Sequence, residues 1–135
     1  MSSFRLVNPP TVHEAAPTYS QVQITPISPT HDLVTIAGQV GIDTKTGRIP
    51  SSYREQVQLA LESLKHCLES VGATPSNIIK LTHFTVNLDP KDHSRSELLQ
   101  EFLGGHRPPG TLVAVSALAT PELLYEVDAM AVVQR

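Results

Sequence analysis

The chain has 135 residues, 17% of them charged and 40% hydrophobic, with a formal net charge of -3. That length and composition fit one soluble globular domain with a real core. Ten scattered Lys and Arg against 13 acidic residues lack the basic footprint of a nucleic-acid binder.

The N-terminal residues, MSSFRLVNPP, show no apolar segment of the kind a signal peptide needs, and no run approaches the ~20 apolar residues that cross a bilayer. The single cysteine, Cys67, rules out an internal disulfide framework and fits a reducing, cytoplasmic compartment. These features predict no membrane partner and no nucleic-acid partner. Residues 1–16, with Pro9 and Pro10, read as an extended lead-in to a single domain spanning 1–135.

Residues 19–25 alternate, with Val22 and Ile24 on one side, and predict a half-buried strand that Pro26 ends. Residues 31–37 predict a second strand, and Gly38 and Gly41 around Gln39-Val40 suggest a bulge or a close backbone approach. Asp43 to Gly47 is turn chemistry. Residues 51–71 form the clearest helix. Ser52 and Glu55 match a capping box, and Val57, Leu61, Leu64, Leu68 and Val71 make one apolar stripe that Gly72 terminates.

Residues 81–88 alternate as a strand, broken at Asp89-Pro90. A second helix is predicted from Ser94 to Leu103, with a capping box at Ser94 and Glu97 and a stop at Gly104-Gly105. Two apolar runs close the chain, residues 111–118 and 123–133, separated at Thr120-Pro121. The order is β-β-α-β-α-β-β. It packs most economically as a two-layer α+β sandwich, one mixed sheet with two helices on one face.

The last run carries Glu126 and Asp128 inside an apolar stretch. A charged carboxylate on a buried strand is costly unless it is paired or used. Period two puts both on one face of the strand. Cys67 beside the helix stripe reads as a packing residue, and His83 on its strand as a structural one. The six histidines show no ligand spacing, so no metal site and no cofactor are expected.

Taken together, several short pieces resemble the Rid family, the RidA/YjgF-like reactive intermediate deaminases, over about residues 17–135. They are Pro17-Thr18-Tyr19-Ser20-Gln21, Ala37-Gly38-Gln39 with Lys45-Thr46-Gly47, the helix starting near Tyr53, Arg107-Pro108-Pro109, and the run from Tyr125 to Val132. The resemblance implies a chorismate-mutase-like fold and a homotrimer with small-molecule clefts between subunits. It implies hydrolysis of reactive imines or enamines.

On that resemblance Glu126 takes the position of the family's water-positioning acid, and Tyr19, Ala37 and Gly38 line the cleft. The motif arginine that clamps a substrate carboxylate is replaced by Gly110, and the small residue two positions on by Leu112. The chain is thus a divergent member, whose activity on 2-imino acids is doubtful unless Arg107 supplies the clamp. The alternative is a non-catalytic ligand-binding or regulatory trimer that retains the fold.

Overall fold

The computed structural model of the protein describes residues 3–135. Six strands and two helices form along the chain. They are β1 (Arg5–Val7), β2 (Val22–Pro26), β3 (His31–Val40), α1 (Tyr53–Glu69), β4 (Ile78–Val86), α2 (Ser94–Leu103), β5 (Gly110–Val115) and β6 (Tyr125–Gln134). The strands make one mixed sheet in the order β1-β2-β3-β6-β4-β5. All neighbours are antiparallel except β4 and β5, which run parallel. A parallel pair needs a long crossover, and α2 supplies it.

Alternation decides which face the helices cover. Along β6, Tyr125, Val127, Ala129 and Ala131 are buried, while Glu126, Asp128 and Met130 point the other way. The buried set joins Val22, Ile24, Val34, Ile36 and Leu81 against Val57, Leu61, Leu64 and Leu68 of α1. Leu98, Leu99 and Phe102 of α2 extend the same layer, partly buried. The expected two-layer α+β architecture is therefore present, with both helices on one face and the second face uncovered in a single chain.

Three local expectations change. The N-terminal lead-in contains a strand, because Arg5–Val7 pairs with Val22 to Ile24 at the sheet edge. Three residues are too few to show a period. At α1, Ser52 Oγ accepts from the Glu55 amide at 3.3 Å, but the reciprocal half of the box does not form among the described residues.

At α2 the box expected from Ser94 and Glu97 is absent, because His93 is the cap residue and Ser94 already lies inside the helix. The Ser94 amide donates to Asp92 Oδ1 at 2.9 Å, and Glu97 turns toward Arg54 at 3.7 Å. Gly104, at φ 57°, ends the helix as anticipated, in a left-handed conformation that glycine tolerates.

The glycines of β3 serve close approach. The β3–β6 register shifts between Ile36 and Gln39, so Ala37 and Gly38 bulge out of the ladder. A Cβ on Gly41 would fall 2.5 Å from Gln56 Cα, so glycine lets the end of β3 touch α1.

Gln56 itself is fully buried. Its Nε2 donates to the carbonyls of Pro50 and Glu122, both at 2.8 Å, and its Oε1 accepts from the Leu124 amide at 2.8 Å. A second buried pair links β3 to the segment before β2: Gln39 Nε2 donates to Gln21 Oε1 at 2.8 Å. No helix is long and apolar enough to cross a membrane among the described residues.

Candidate active site

Glu126 stands on the uncovered face of β6, in the middle of the sheet. Phe84 of β4 flanks it on one side and Val40 of β3 on the other. Its carboxyl group lies against the bulge of β3. A Cβ built on Gly38 would come within 2.6 Å of both Cδ and Oε2 of Glu126. Glycine at position 38 is thus what makes room for the acid. Burial, and secondly the neighbouring Asp128, push the Glu126 carboxyl above the usual carboxylate range. Asp128 is also raised by burial, with the Thr82 hydroxyl and Lys80 pulling it back.

Ala37 adjoins Gly38 in the bulge, and Tyr19 lies further along the same sheet. They line a shallow concavity of about 520 Å³ with Pro17, Gln23 and Thr35, next along the chain from Gly38. The structure therefore sets Glu126 against Gly38, while Ala37 and Tyr19 share the concavity that begins next to that glycine and does not include the acid.

The other three residues singled out in the sequence sit elsewhere. Gly110 and Leu112 pair with Leu81 and His83, whose side chains face the helices. Gly110 and Arg107 line a cavity of about 480 Å³ beneath α2. Leu112 lines a neighbouring cavity of about 340 Å³ with Tyr53, Thr85 and Arg95. Arg107 is exposed at its cavity rim. Within one chain the sheet separates these residues from Glu126.

Between the two cavities runs a buried polar cluster. His83 Nδ1 and the Tyr125 hydroxyl share a hydrogen bond of 2.6 Å, and the Tyr53 hydroxyl meets Thr85 Oγ1 at 3.0 Å. The rings of Tyr53 and Tyr125 meet edge to face at 6.0 Å. Burial, with smaller contributions from Arg95 and Lys80, pushes His83 down to about 4, so its imidazole is neutral at pH 7. Burial likewise raises the Tyr125 phenol.

Cys67 is fully buried and its thiol is pushed up to about 12, which agrees with a packing role rather than a reactive one. No group of three His, Cys, Asp or Glu side chains among the described residues is arranged to hold a metal ion.

Sequence reasoning missed Tyr53, Thr85 and Arg95. One signal was available for Arg95: a cation in the first turn of a helix opposes the macrodipole, so its placement asks for another reason.

Fold and site define a class: a small α+β protein with a desolvated acid on an uncovered sheet face and cavities at the sheet edge. A family model described as Endoribonuclease L-PSP matches residues 11–133, nearly the whole chain. The protein belongs to this family, which includes the Rid/YjgF proteins.

Among its relatives, a RutC family protein of Buchnera aphidicola is 33% identical over 99 residues, covering 71% of this chain and 76% of the relative. TdcF of Escherichia coli K12, whose name assigns it provisionally to the reactive intermediate deaminases, is 30% identical over 104 residues, covering 74% and 78%. The crystal structure of E. coli TdcF with bound serine superposes with a TM-score of 0.81 at 26% identity, covering 96% of this chain and 98% of that one. The Rid family protein YyfA of Yersinia pestis shares the fold, with a TM-score of 0.87 at 22% identity, over 97% and 100%.

Proposed function

We propose that the protein hydrolyses a reactive imine or enamine at a cleft completed by a second copy of the chain within a homotrimer. A reducing cytoplasmic setting and a pathway-specific biosynthetic intermediate belong to the same reading. One observation carries it: the Glu126 carboxyl, raised by burial, is seated on the Gly38 backbone where a small molecule on the open face can reach it.

A carboxyl raised by burial and by the neighbouring Asp128 holds its proton more readily than a solvated one, which suits an acid that must both take and return a proton. Glu126 takes a proton from the attacking water as its oxygen bonds to the C=N carbon. It passes that proton to the nitrogen, giving a carbinolamine. It then takes the hydroxyl proton as the C=O bond forms and delivers it to the same nitrogen as the C–N bond breaks, leaving a carbonyl compound and ammonia. An enamine enters the same sequence after protonation at its β-carbon gives the imine.

The split of the site residues across two faces supports a cleft that two copies complete. So do the exposed apolar side chains of β5, Leu112 at 38% and Val113 at 36%. The serine bound in TdcF supports an amino-acid-derived ligand. The nuclease in the family's description is less well supported, since a net charge of -3 without a basic block gives phosphates little to bind.

Glu126→Gln tests the reading, because it keeps shape and removes basicity. Turnover per folded protein is expected to fall about 10²–10⁴-fold, with melting temperature and ligand binding nearly unchanged. Unchanged turnover would remove the catalytic role. The non-catalytic binding protein, which Gly110 at the arginine position favours, would then take its place.

A further inference from the structure

We propose that the cavity beneath α2 is a second binding site, for an uncharged and mostly apolar molecule that carries one carbonyl, with His83 as the hydrogen-bond donor on its floor. The cavity holds about 480 Å³, within the usual range of small-molecule sites. Leu81, Leu99, Leu103 and Pro108 give it apolar walls. The site goes beyond the hydrolase reading and does not rest on it, because His83 and Glu126 stand on opposite faces of the sheet.

His83 is 3% exposed, and one of its two ring nitrogens has a partner among the described residues. Nδ1 meets the Tyr125 hydroxyl at 2.6 Å, and Tyr125 does not line the cavity. Two sealed side-chain polar atoms lack a partner among the described residues, His13 Nδ1 and Gln39 Oε1, and His83 Nε2 is not one of them. Nε2 is therefore unpartnered but not sealed, and it opens onto the cavity that His83 lines.

A phenol O–H is a stronger donor than a neutral imidazole N–H, and an imidazole nitrogen is a stronger acceptor than a phenol oxygen. Tyr125 thus donates to Nδ1. That leaves the ring proton on Nε2, since the bond made by one nitrogen decides the state of the other. The ring is neutral at pH 7 and offers one uncharged N–H to an apolar space.

The other polar groups of the lining are committed or wet. Ser96 Oγ donates to the His93 carbonyl at 3.2 Å, and His106 Nε2 is bonded to the Ile78 carbonyl at 2.8 Å. Gln100 and Arg107 are exposed at the rim. An anion inside would meet no buried cation in this lining, and burying it costs more than one neutral donor returns. A ketone or ester carbonyl loses less on burial, and one donor satisfies it.

Gly110 keeps the space open. It pairs with Leu81 in the parallel ladder, so a side chain there would point toward the helices, and its Cβ would meet nothing nearer than the Leu81 carbonyl at 3.8 Å. Its φ is not in the left-handed region, so a larger residue suits the backbone and fills the cavity.

The test uses acetophenone, ethylbenzene, which lacks the oxygen, and benzoate, which adds a charge. Binding is read from amide and imidazole NMR spectra, and circular dichroism checks the fold of each variant. The wild type is expected to bind acetophenone roughly 2- to 10-fold more tightly than ethylbenzene, the worth of one neutral hydrogen bond. Benzoate should bind more weakly than acetophenone. Acetophenone, and not ethylbenzene, should shift the His83 Nε2 signal. His83→Phe should lower acetophenone to the affinity of ethylbenzene, and Gly110→Leu should abolish binding of both with His83 intact. Glu126→Gln should bind acetophenone as the wild type does, so failure of this site and failure of the hydrolase are told apart.

No acetophenone binding at millimolar concentration overturns the assignment. So does binding that leaves the His83 nitrogens unmoved, equal affinity in the wild type and G110L, or tighter binding of benzoate. If H83F does not fold, the imidazole signal and G110L decide.

Discussion

At the scale of residues, the contact between Gly38 and Glu126 is the most exposed to experiment. A methyl group on Gly38 meets the carboxyl at 2.6 Å, closer than non-bonded atoms tolerate, and the side chain rather than the backbone has to move. Gly38→Ala is therefore expected to cost about 1–3 kcal/mol, in the range of other overpacked sites, and to lower turnover by displacing the acid. Most of the stability cost should disappear in the double variant G38A/E126A, and a double-mutant cycle by urea unfolding measures that coupling. If the cost is unchanged when the acid is gone, the glycine serves the bulge and not Glu126. Glu126 was legible in the sequence because a carboxylate inside an apolar strand stands out. Arg95 and the three buried glutamines were not. A polar side chain reveals its burial only through partners far along the chain, as Gln56 does with Glu122 and Leu124.

At the scale of elements, the helices were legible to within about two residues because a period of 3.6 runs through several turns of each. The caps were less so. Asp92, two residues before α2, satisfies the amide that the Ser94 motif was expected to serve in a different way. Strand β1 went unread because its three residues owe their conformation to pairing with β2. Strand β5 carries the prediction here. It is an edge strand, joined to the sheet only through β4, and its Val113 lies in register with Phe84, which in turn flanks Glu126. An uncovered apolar edge of this kind invites a partner. If the proposed homotrimer closes over it, Val113→Lys should leave the fold intact, give a monomer by sedimentation velocity where the wild type sediments as a trimer, and abolish turnover in step with dissociation. Identical sedimentation of V113K and the wild type would remove β5 from any interface between copies.

At the scale of the whole molecule, element order was enough to give the two-layer α+β plan, since few arrangements bury one stripe per helix and one face per sheet. The strand order was beyond it. Nothing local tells the last strand to insert between β3 and β4 and leave β5 outside in parallel.

The buried histidine gives the fold a measurable pH dependence. His83 resists protonation in the native state, at about 4, and takes a proton near 6.5 when unfolded. Between those values the unfolded chain binds more protons, so stability falls as pH drops from 6.5 toward 4, by up to about 3 kcal/mol. Glu126 and Asp128 act oppositely: raised in the native state, they favour folding at low pH and lose that contribution as pH rises through their native values. Urea unfolding from pH 4 to 7 should show the histidine slope in the wild type and not in His83→Asn. Matching slopes would mean that the imidazole is reached by solvent.

The Gln56 side chain, finally, holds one amide that no strand claims. Leu124 precedes β6 and donates its N–H to Gln56 Oε1, inside the core, while its own carbonyl accepts from the Val86 amide at 2.9 Å. An amide trapped this way trades its proton with solvent only when the helix and the sheet part company. In deuterium exchange Leu124 should therefore be as slow as the central ladder of β6, although by its position it belongs to a loop.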